Sequence, residues 1–518
     1  MLPRRNYEKI NCLNYIQNLR NVFIVEVVRS CMGLFSKKMK EELMKDFKES
    51  EISKLRYGMF HCRFGDAEGV SIVMQQIENV LHKNMGVNLK DIRYLVGTSK
   101  KKSWRVTENE FISEQHPSNE LMYKQNYQVG YGGGSSEKIE VAINQAKKVI
   151  EEWVTKNRID VLIVHNSSHP VNFVSSVALS RFYRDRIAKG KKTPKYILWW
   201  HDSHLERESF MNPPRDVENY LLEGVPGKFV EYTIFINSLQ FEEAKKYFGK
   251  LDIRNPGFLE KMSAHHGIVY NTTDTFIDNA RELESSKFNE RVSIFMRDFG
   301  VNELLKEHKL KQEDVLFCLQ HTRMVGRKRI DFALKYAHEL FQRLKEKGLY
   351  KALYFFVSGH DAIGMKQDLI KLNEDLKKEY DTDKLFLVFA EDKYDKTNIT
   401  FEEYPKIFAK LWGITTYFSD VEGFGNNLLE VLASGLIPVV YKYPVFRKDI
   451  EPVGFNLIAF DKFELNNKKF EETIKLLRNK KMRSEWVDEN LELLRKNFPH
   501  DIIAVKLKEA ITAERTHI

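Results

Sequence analysis

Ser419-Asp420-Val421-Glu422-Gly423-Phe424-Gly425-Asn426-Asn427-Leu428-Leu429-Glu430 is the stretch on which the reading of this chain turns. A strand-like run, Ile414 to Ser419, leads into it. A helical run, Asn426 to Ser434, follows and stops at Gly435. A second strand-like run, Ile437 to Lys442, comes next. The unit is strand, loop, helix, strand, with one carboxylate in the loop and another about one turn into the helix. A helix N-terminus presents unpaired N–H groups and partial positive charge, so it favours a phosphate. Gly423 and Gly425 carry no side chain and let the backbone approach a ligand closely. Asn426 is the expected cap, with Asn427 behind it. Glu422 precedes the turn and can reach outward to ligand hydroxyls, and Glu430 faces back toward the mouth. Leu428, Leu429, Val431 and Leu432 read as packing. An ordinary α/β crossover with solvated glutamates is the alternative, and the rest of the chain decides between the two.

Upstream, Phe317-Cys318-Leu319-Gln320-His321-Thr322-Arg323-Met324-Val325-Gly326-Arg327-Lys328-Arg329-Ile330 ends a strand in a loop of four basic residues and opens a helix. Loops at the carboxyl ends of parallel strands are where α/β proteins bind ligands. Arg323 and Lys328 can both reach one diphosphate, Arg as a bidentate clamp and Lys as a point charge. Fixed cations there stabilise charge building on a departing diphosphate by roughly 3–4 kcal/mol per donor.

Strands alternate with helices along most of the chain. They are expected at Tyr57–Arg63, Ile92–Val96, Val161–Val164, Ile197–Trp200 and Thr233–Ile236. A second series runs through Val315–Leu319, Ala352–Val357, Leu385–Phe389, Ile414–Phe418 and Ile437–Tyr441. This alternation predicts parallel sheets covered on both faces. The fold class is α/β, with two Rossmann-like domains facing a cleft and an N-terminal helical extension. The boundaries are an extension over 1–55, an N-terminal Rossmann-like domain over 56–275 and a charged helical connection over 276–312. A C-terminal Rossmann-like domain covers 313–480, and helices cover 481–518. The tract Gly130 to Ser136 reads as a flexible loop, and Val70 to His82 as an amphipathic helix.

With 518 residues, 42% hydrophobic and 30% charged, the chain has material for several cores of a globular protein. A net charge of +9 suits a basic cleft for an anionic substrate and a weak peripheral attraction to acidic membranes. Without a concentrated basic face it does not argue for nucleic acid. Cys12, Cys31, Cys62 and Cys318 form no CxxC pair, which argues against a zinc or redox site and for a reducing, cytoplasmic setting. The most apolar run, Val22 to Phe35, is broken by Glu26 and Arg29. It reads as a buried or partner-facing helix rather than a span.

From about Tyr57 to Asn497 the chain resembles glycosyltransferase family 4, whose GT-B fold has two Rossmann-like lobes; the resemblance implies that 56–275 is the acceptor domain and 313–480 the nucleotide-sugar-binding domain. The Arg323–Lys328 loop, the Gly359 turn and the Glu422–Glu430 loop fall in that family's order. The resemblance implies retaining transfer of a hexose from a nucleotide diphosphate sugar, with GDP-mannose or UDP-glucose foremost, to a small-molecule or glycan hydroxyl acceptor. It implies diphosphate roles for Arg323 and Lys328, a sugar role for Glu422 and a ribose role for Glu430. The backbone of Gly423, Phe424, Gly425 and Asn426 would contact sugar and phosphate. Trp200-His201-Asp202-Ser203-His204-Leu205-Glu206-Arg207-Glu208 and Arg63-Phe64-Gly65-Asp66-Ala67-Glu68-Gly69 resemble a subgroup similar to sugar–glycerate synthases, with His201 as the cleft histidine. Asn237-Ser238 and Asn255-Pro256-Gly257 also fit. Arg329 departs from the family, which often has glycine after the lysine, and so does Asp66-Ala67. No cofactor and no metal are expected, since Asp381-Thr382-Asp383 precedes a strand and sits at the wrong end for the cleft. A non-catalytic sugar-nucleotide scaffold and a glycoside phosphorylase of the same fold are the alternatives.

Overall fold

The computed structural model describes residues 51–65, 69–122, 135–206, 210 and 212–515. The expected Val22–Phe35 helix, Asp66–Glu68, Gly130–Gly134, Arg207 and Glu208 lie outside the described residues. Two parallel sheets organise the chain.

The first sheet contains β1 (Tyr57–Phe64), β2 (Ile92–Ser99), β3 (Val106–Glu108), β4 (Val161–His165), β5 (Lys195–Trp200), β6 (Tyr232–Phe235) and β7 (His266–Ile268), in the order β3-β2-β1-β4-β5-β6-β7. Its helices include α1 (Gly69–Lys83), α2 (Ser135–Asn157), α3 (Phe173–Ala188), α4 (Arg215–Gly224) and α5 (Ser238–Asp252). Ser135 and Ser136 open α2 and do not belong to the expected loop.

The second lobe begins with α6 (Asn289–Asp298) and α7 (Val301–Glu307). It continues through β8 (Val315–Gln320), α8 (Ile330–Glu346), β9 (Ala352–Val357), α9 (Lys366–Glu379), β10 (Leu385–Phe389), α10 (Tyr404–Lys410) and β11 (Ile414–Tyr417). Then come α11 (Asn426–Ala433), β12 (Pro438–Tyr441) and β13 (Ile458–Phe460). Its sheet order is β10-β9-β8-β11-β12-β13. The tail forms α12 (Asn467–Arg478), α13 (Lys480–Asn497) and α14 (Asp501–Thr512).

The central strands are mostly apolar because both faces are covered. Every residue of β4, β5, β8 and β9 is buried. Each sheet reverses its winding once, between β1 and β4 and between β8 and β11. A crevice opens there above the carboxyl ends of the strands. The switch point fixes which loops meet: the one after β8, with Arg323 and Lys328, and the one after β11, with Glu422.

Residues 276–312 contain no strand. Their α6 lies under the second sheet, where Phe295 meets Tyr354, Phe356 and Phe408 at ring-centroid distances of 6.2, 5.2 and 5.4 Å. The tail divides its loyalty. α13 packs beside α11, whose following Gly435 faces Val487. α14 returns to the first lobe, where the Lys195 ammonium donates to the Ile511 carbonyl (3.1 Å) and Arg515 pairs with buried Glu231 (2.5 Å).

Candidate active site between the lobes

The loop after β11 carries the central feature. Glu422 is 8% exposed and Lys328 5% exposed. The Lys328 ammonium donates to Oε1 of Glu422, and Arg327 Nη1 donates to Oε2 (2.9 Å) and to the Val421 carbonyl (2.6 Å). The loops are also tied through the backbone, Asp420 N–H donating to the Arg327 carbonyl (2.8 Å). Burial alone would push the Glu422 carboxyl up. The Lys328 ammonium, then Arg327, outweigh it and hold the carboxyl down at about 2. Glu422 is therefore a carboxylate at neutral pH, able to accept hydrogen bonds and unable to donate a proton. Burial likewise works against the Arg327 guanidinium, but Glu422 and, from the first lobe, Asp202 more than compensate.

Sequence reasoning missed Arg327 and took Arg323 and Lys328 from the same loop. Arg323 is exposed and has no hydrogen bond or ion pair with the described residues. It stands close enough for its charge to oppose the Lys328 ammonium, so the two cations do share a neighbourhood. The Gly359 turn explains the loop's seat: a Cβ there would overlap the Thr322 carbonyl and stand 2.6 Å from the Arg323 Cα.

Arg329 caps α8 with φ 46°, in the left-handed region. This is the physical reason a glycine is at home in that place. The Arg329 side chain pairs with Asp331 (3.3 Å) and Asp420 (3.6 Å), half-exposed contacts worth under about 1 kcal/mol. Arg329→Gly should therefore change stability by less than about 1 kcal/mol, whereas β-branched Arg329→Val should cost about 1–2 kcal/mol. Urea melts of the two variants check this order.

At the helix tip the cap is Gly425, with φ 116°, and not Asn426. Asn426 is the first helical residue, and its Oδ1 accepts from Nδ2 of Asn271. Asn427 Nδ2 donates to Glu430 Oε2 (3.4 Å). Glu430 faces His321 Nε2 at 3.4 Å, and the His321 ring stacks on Phe401 with centroids 4.1 Å apart. Glu430 thus lies beside the buried His321 ring and its stacking partner Phe401. Phe424 offers only its backbone, since its ring is buried against Tyr270 (5.3 Å) and Phe498 (5.8 Å).

The first lobe closes on this tip. Asn237 Nδ2 donates to the Gly423 carbonyl (2.6 Å), and Ser238 donates to Asp449 through N–H (2.9 Å) and Oγ (2.5 Å). A Cβ on Gly423 would lie 3.8 Å from the His201 carbonyl, which places His201 against the loop after β11. That carbonyl accepts from Gln240 Nε2 (3.0 Å), which also donates to Glu206 (3.0 Å). Glu206 further accepts from Trp200 Nε1 (3.0 Å) and Ser203 Oγ (2.9 Å), bracing the turn after β5. The structure thus gathers His201, Arg323, Lys328, Glu422, Gly423, Gly425, Asn426, Asn427 and Glu430 around one cleft. Asp381 and Asp383 lie before β10, at the opposite end of the second sheet. Asn255-Pro256-Gly257 follows α5, and Lys228 donates to Asn255 (2.9 Å) ahead of β6, also away from the cleft. Among the described residues no helix is long and apolar enough to cross a membrane.

No family model matches the chain. Two curated relatives are mannosylglucosylglycerate synthases. The one from Petrotoga mobilis is 26% identical over 433 residues, 78% of this chain and 86% of its own length. The one from Thermotoga maritima is 24% identical over 472 residues, 86% of this chain and 96% of its own. Solved structures of like fold include Anabaena HepE with UDP and glucose, with a TM-score of 0.51, 10% identity, and coverage of 89% of this chain and 100% of that one. WaaG, a glycosyltransferase of lipopolysaccharide biosynthesis, aligns with a TM-score of 0.50, 11% identity, and coverage of 88% and 100%. The Candida albicans trehalose-6-phosphate phosphatase N-terminal domain reaches a TM-score of 0.56 at 9% identity, with coverage of 88% and 97%. The fold is GT-B, and the likeness to sugar–glycerate synthases read from the motifs is borne out.

Proposed function

We propose that the protein is a retaining glycosyltransferase that moves a hexose from a nucleoside diphosphate sugar to a hydroxyl acceptor in the cleft between the lobes. Transfer from a nucleotide sugar is supported by relatives that align over most of their own length. The observation that carries the reading is the buried, ionised Glu422, held by Lys328 and Arg327 beside the α11 tip and followed by Gly423, which approaches the His201 carbonyl. Lys328, Arg327 and Arg323 would neutralise the diphosphate as it departs. The Glu422 carboxylate would accept from sugar hydroxyls, and Glu430 from the ribose. Glu422 orients and does not attack. The leaving phosphate takes the acceptor's proton on the face it departs from.

The relatives' name describes a product in which mannose is joined to glucosylglycerate, so GDP-mannose with glucosylglycerate is the first pair to try and UDP-glucose the second donor. The test is a thermal-shift screen against UDP, GDP, ADP and their hexose conjugates. A cognate donor at 100 times its Kd should stabilise the fold by about 2.7 kcal/mol. No shift with any of them would overturn the reading.

With three cations at the diphosphate, transfer should also persist in EDTA. Activity abolished by EDTA and restored by magnesium or manganese would assign charge neutralisation to a metal instead.

A further inference from the structure

We propose that His165 is a positioning residue that fixes the tautomer of His201, so that His201 offers the cleft a hydrogen-bond donor, its Nδ1–H, and no free basic nitrogen. The catalytic consequence rests on the transferase reading; the tautomer itself does not.

The register of the first sheet creates the pair. β4 and β5 run parallel with His165 opposite Trp199, so the end of β4 meets the turn after β5. His165 is 1% exposed and His201 9% exposed. The rings meet edge to edge, 25° from coplanar with centroids 5.3 Å apart, and His165 Nδ1 lies 3.0 Å from His201 Nε2. The Trp199 ring lies beside His165, with centroids 6.1 Å apart. The His165 carbonyl accepts from Nδ1 of His61 (3.1 Å), which sets His61 as its own Nδ1–H form and pins the β4 end to β1.

One proton lies between His165 Nδ1 and His201 Nε2, and there are two ways to place it. If His201 Nε2–H donates, neutral His165 carries its own proton on Nε2. That atom is buried and has no hydrogen-bond partner among the described residues. A buried orphan N–H is the costlier kind of unsatisfied group, and such groups are rare. If His165 Nδ1–H donates instead, its Nε2 is only an under-used acceptor. The second arrangement wins. His201 Nε2 is then the acceptor, and its proton sits on Nδ1. That nitrogen has no partner among the described residues and is not sealed from solvent.

Both rings are neutral at physiological pH. Burial, reinforced by His61, holds His201 down at about 3, and burial with His201 and His61 holds His165 well below its usual value. A neutral Nδ1–H at the cleft can donate to an oxygen of the transferred sugar, holding the ring in place. It cannot take the acceptor hydroxyl's proton, which leaves that task to the departing phosphate.

The experiment reads the tautomer directly. The full chain is labelled with 15N-histidine, and long-range 1H–15N correlations are recorded without ligand. His201 is assigned by its loss in His201→Gln. The expected pattern is a protonated Nδ1 and a bare Nε2. In His165→Met the pattern should shift toward Nε2–H. In His165→Gln, whose amide N–H can still donate, it should return. Turnover should fall by about tenfold in His165→Met with little change in KM, and recover in His165→Gln. A His201 Nε2–H pattern in the unaltered protein, or one unmoved in His165→Met, would overturn the proposal. The NMR readout decides the tautomer whether or not any nucleotide sugar is turned over, so its failure is distinct from failure of the transferase reading.

Discussion

Glu422→Ala is expected to cost the protein both transfer and stability, and the two losses can be separated. Lys328 is almost wholly buried, and the carboxylate is its counter-ion. Breaking a buried pair by removing one partner strands the other and costs about 3–5 kcal/mol. The urea midpoint should fall accordingly with the slope unchanged. Glu422→Gln should fall in between. Its amide oxygen can accept from Lys328 or from Arg327, while its amide N–H₂ opposes the other cation, a mismatch of about 1–3 kcal/mol. Glu422→Leu combined with Lys328→Met removes both charges. It should recover much of the stability, because an apolar pair can replace a buried ion pair at little cost. It should recover none of the transfer, since the proposed hydrogen-bond acceptor for the sugar and one proposed diphosphate cation are both gone. A double variant as unstable as Glu422→Ala would mean that the pair contributes through its shape rather than its charge.

The same pair sets an acid limit. The folded-state carboxyl titrates at about 2, below its usual 4.5. The folded state thus binds this proton less readily than the unfolded chain does. The pair's stabilisation is fully present above about pH 4.5 and is lost as pH falls toward 2. The acid limb of the unfolding profile should be shallower in the double variant.

Much of this site is legible in the amino-acid order alone. Runs such as Val161–Val164 and Ala352–Val357 are apolar throughout, as strands of a doubly covered sheet are. The Glu422 loop is bracketed by two strand-like runs of the same kind. Three strands carry no such signal: Val106-Thr107-Glu108, His266-Gly267-Ile268 and Ile458-Ala459-Phe460. Each is three residues long and lies at a sheet edge, so the pairing strand and not a local pattern makes it extended.

Arg327 escapes notice because nothing in a row of basic residues tells which one turns inward. The answer comes from the loop's backbone tie to Asp420. Asn426 is the natural cap by residue type, yet the turn needs a left-handed residue first, and Gly425 takes that place. His165 carries no sequence signal, since its partnership with His201 arises from strand register alone. The same is true of Asp449, which meets Ser238 from the other lobe across 211 positions of chain. Contacts made by topology are the ones a linear reading does not reach.

Gly425→Ala should be the most damaging small substitution in the donor loop. Its φ of 116° lies in the region that favours glycine, and an added Cβ would overlap the Tyr443 hydroxyl. That hydroxyl cannot simply withdraw, because it is buried and donates to the Phe424 carbonyl at 2.7 Å. Backbone strain and overpacking together should cost about 2–4 kcal/mol. KM for the nucleotide sugar should rise as well, since the residues displaced are those whose N–H groups form the helix tip. Tyr443→Phe alone should cost about 1–3 kcal/mol by leaving the Phe424 carbonyl unpaired. In the double variant the overlapping oxygen is absent, and the next nearest ring atom, Cζ, stands 3.4 Å from the new methyl group. The two losses should therefore add to less than their sum, with the φ strain left as the residue. Strict additivity in a double-mutant cycle would show that the loop yields before the hydroxyl does. In that case the tip of α11 is not held by Tyr443, and its position must come from the interlobe contacts of Asn237 and Asn271 instead.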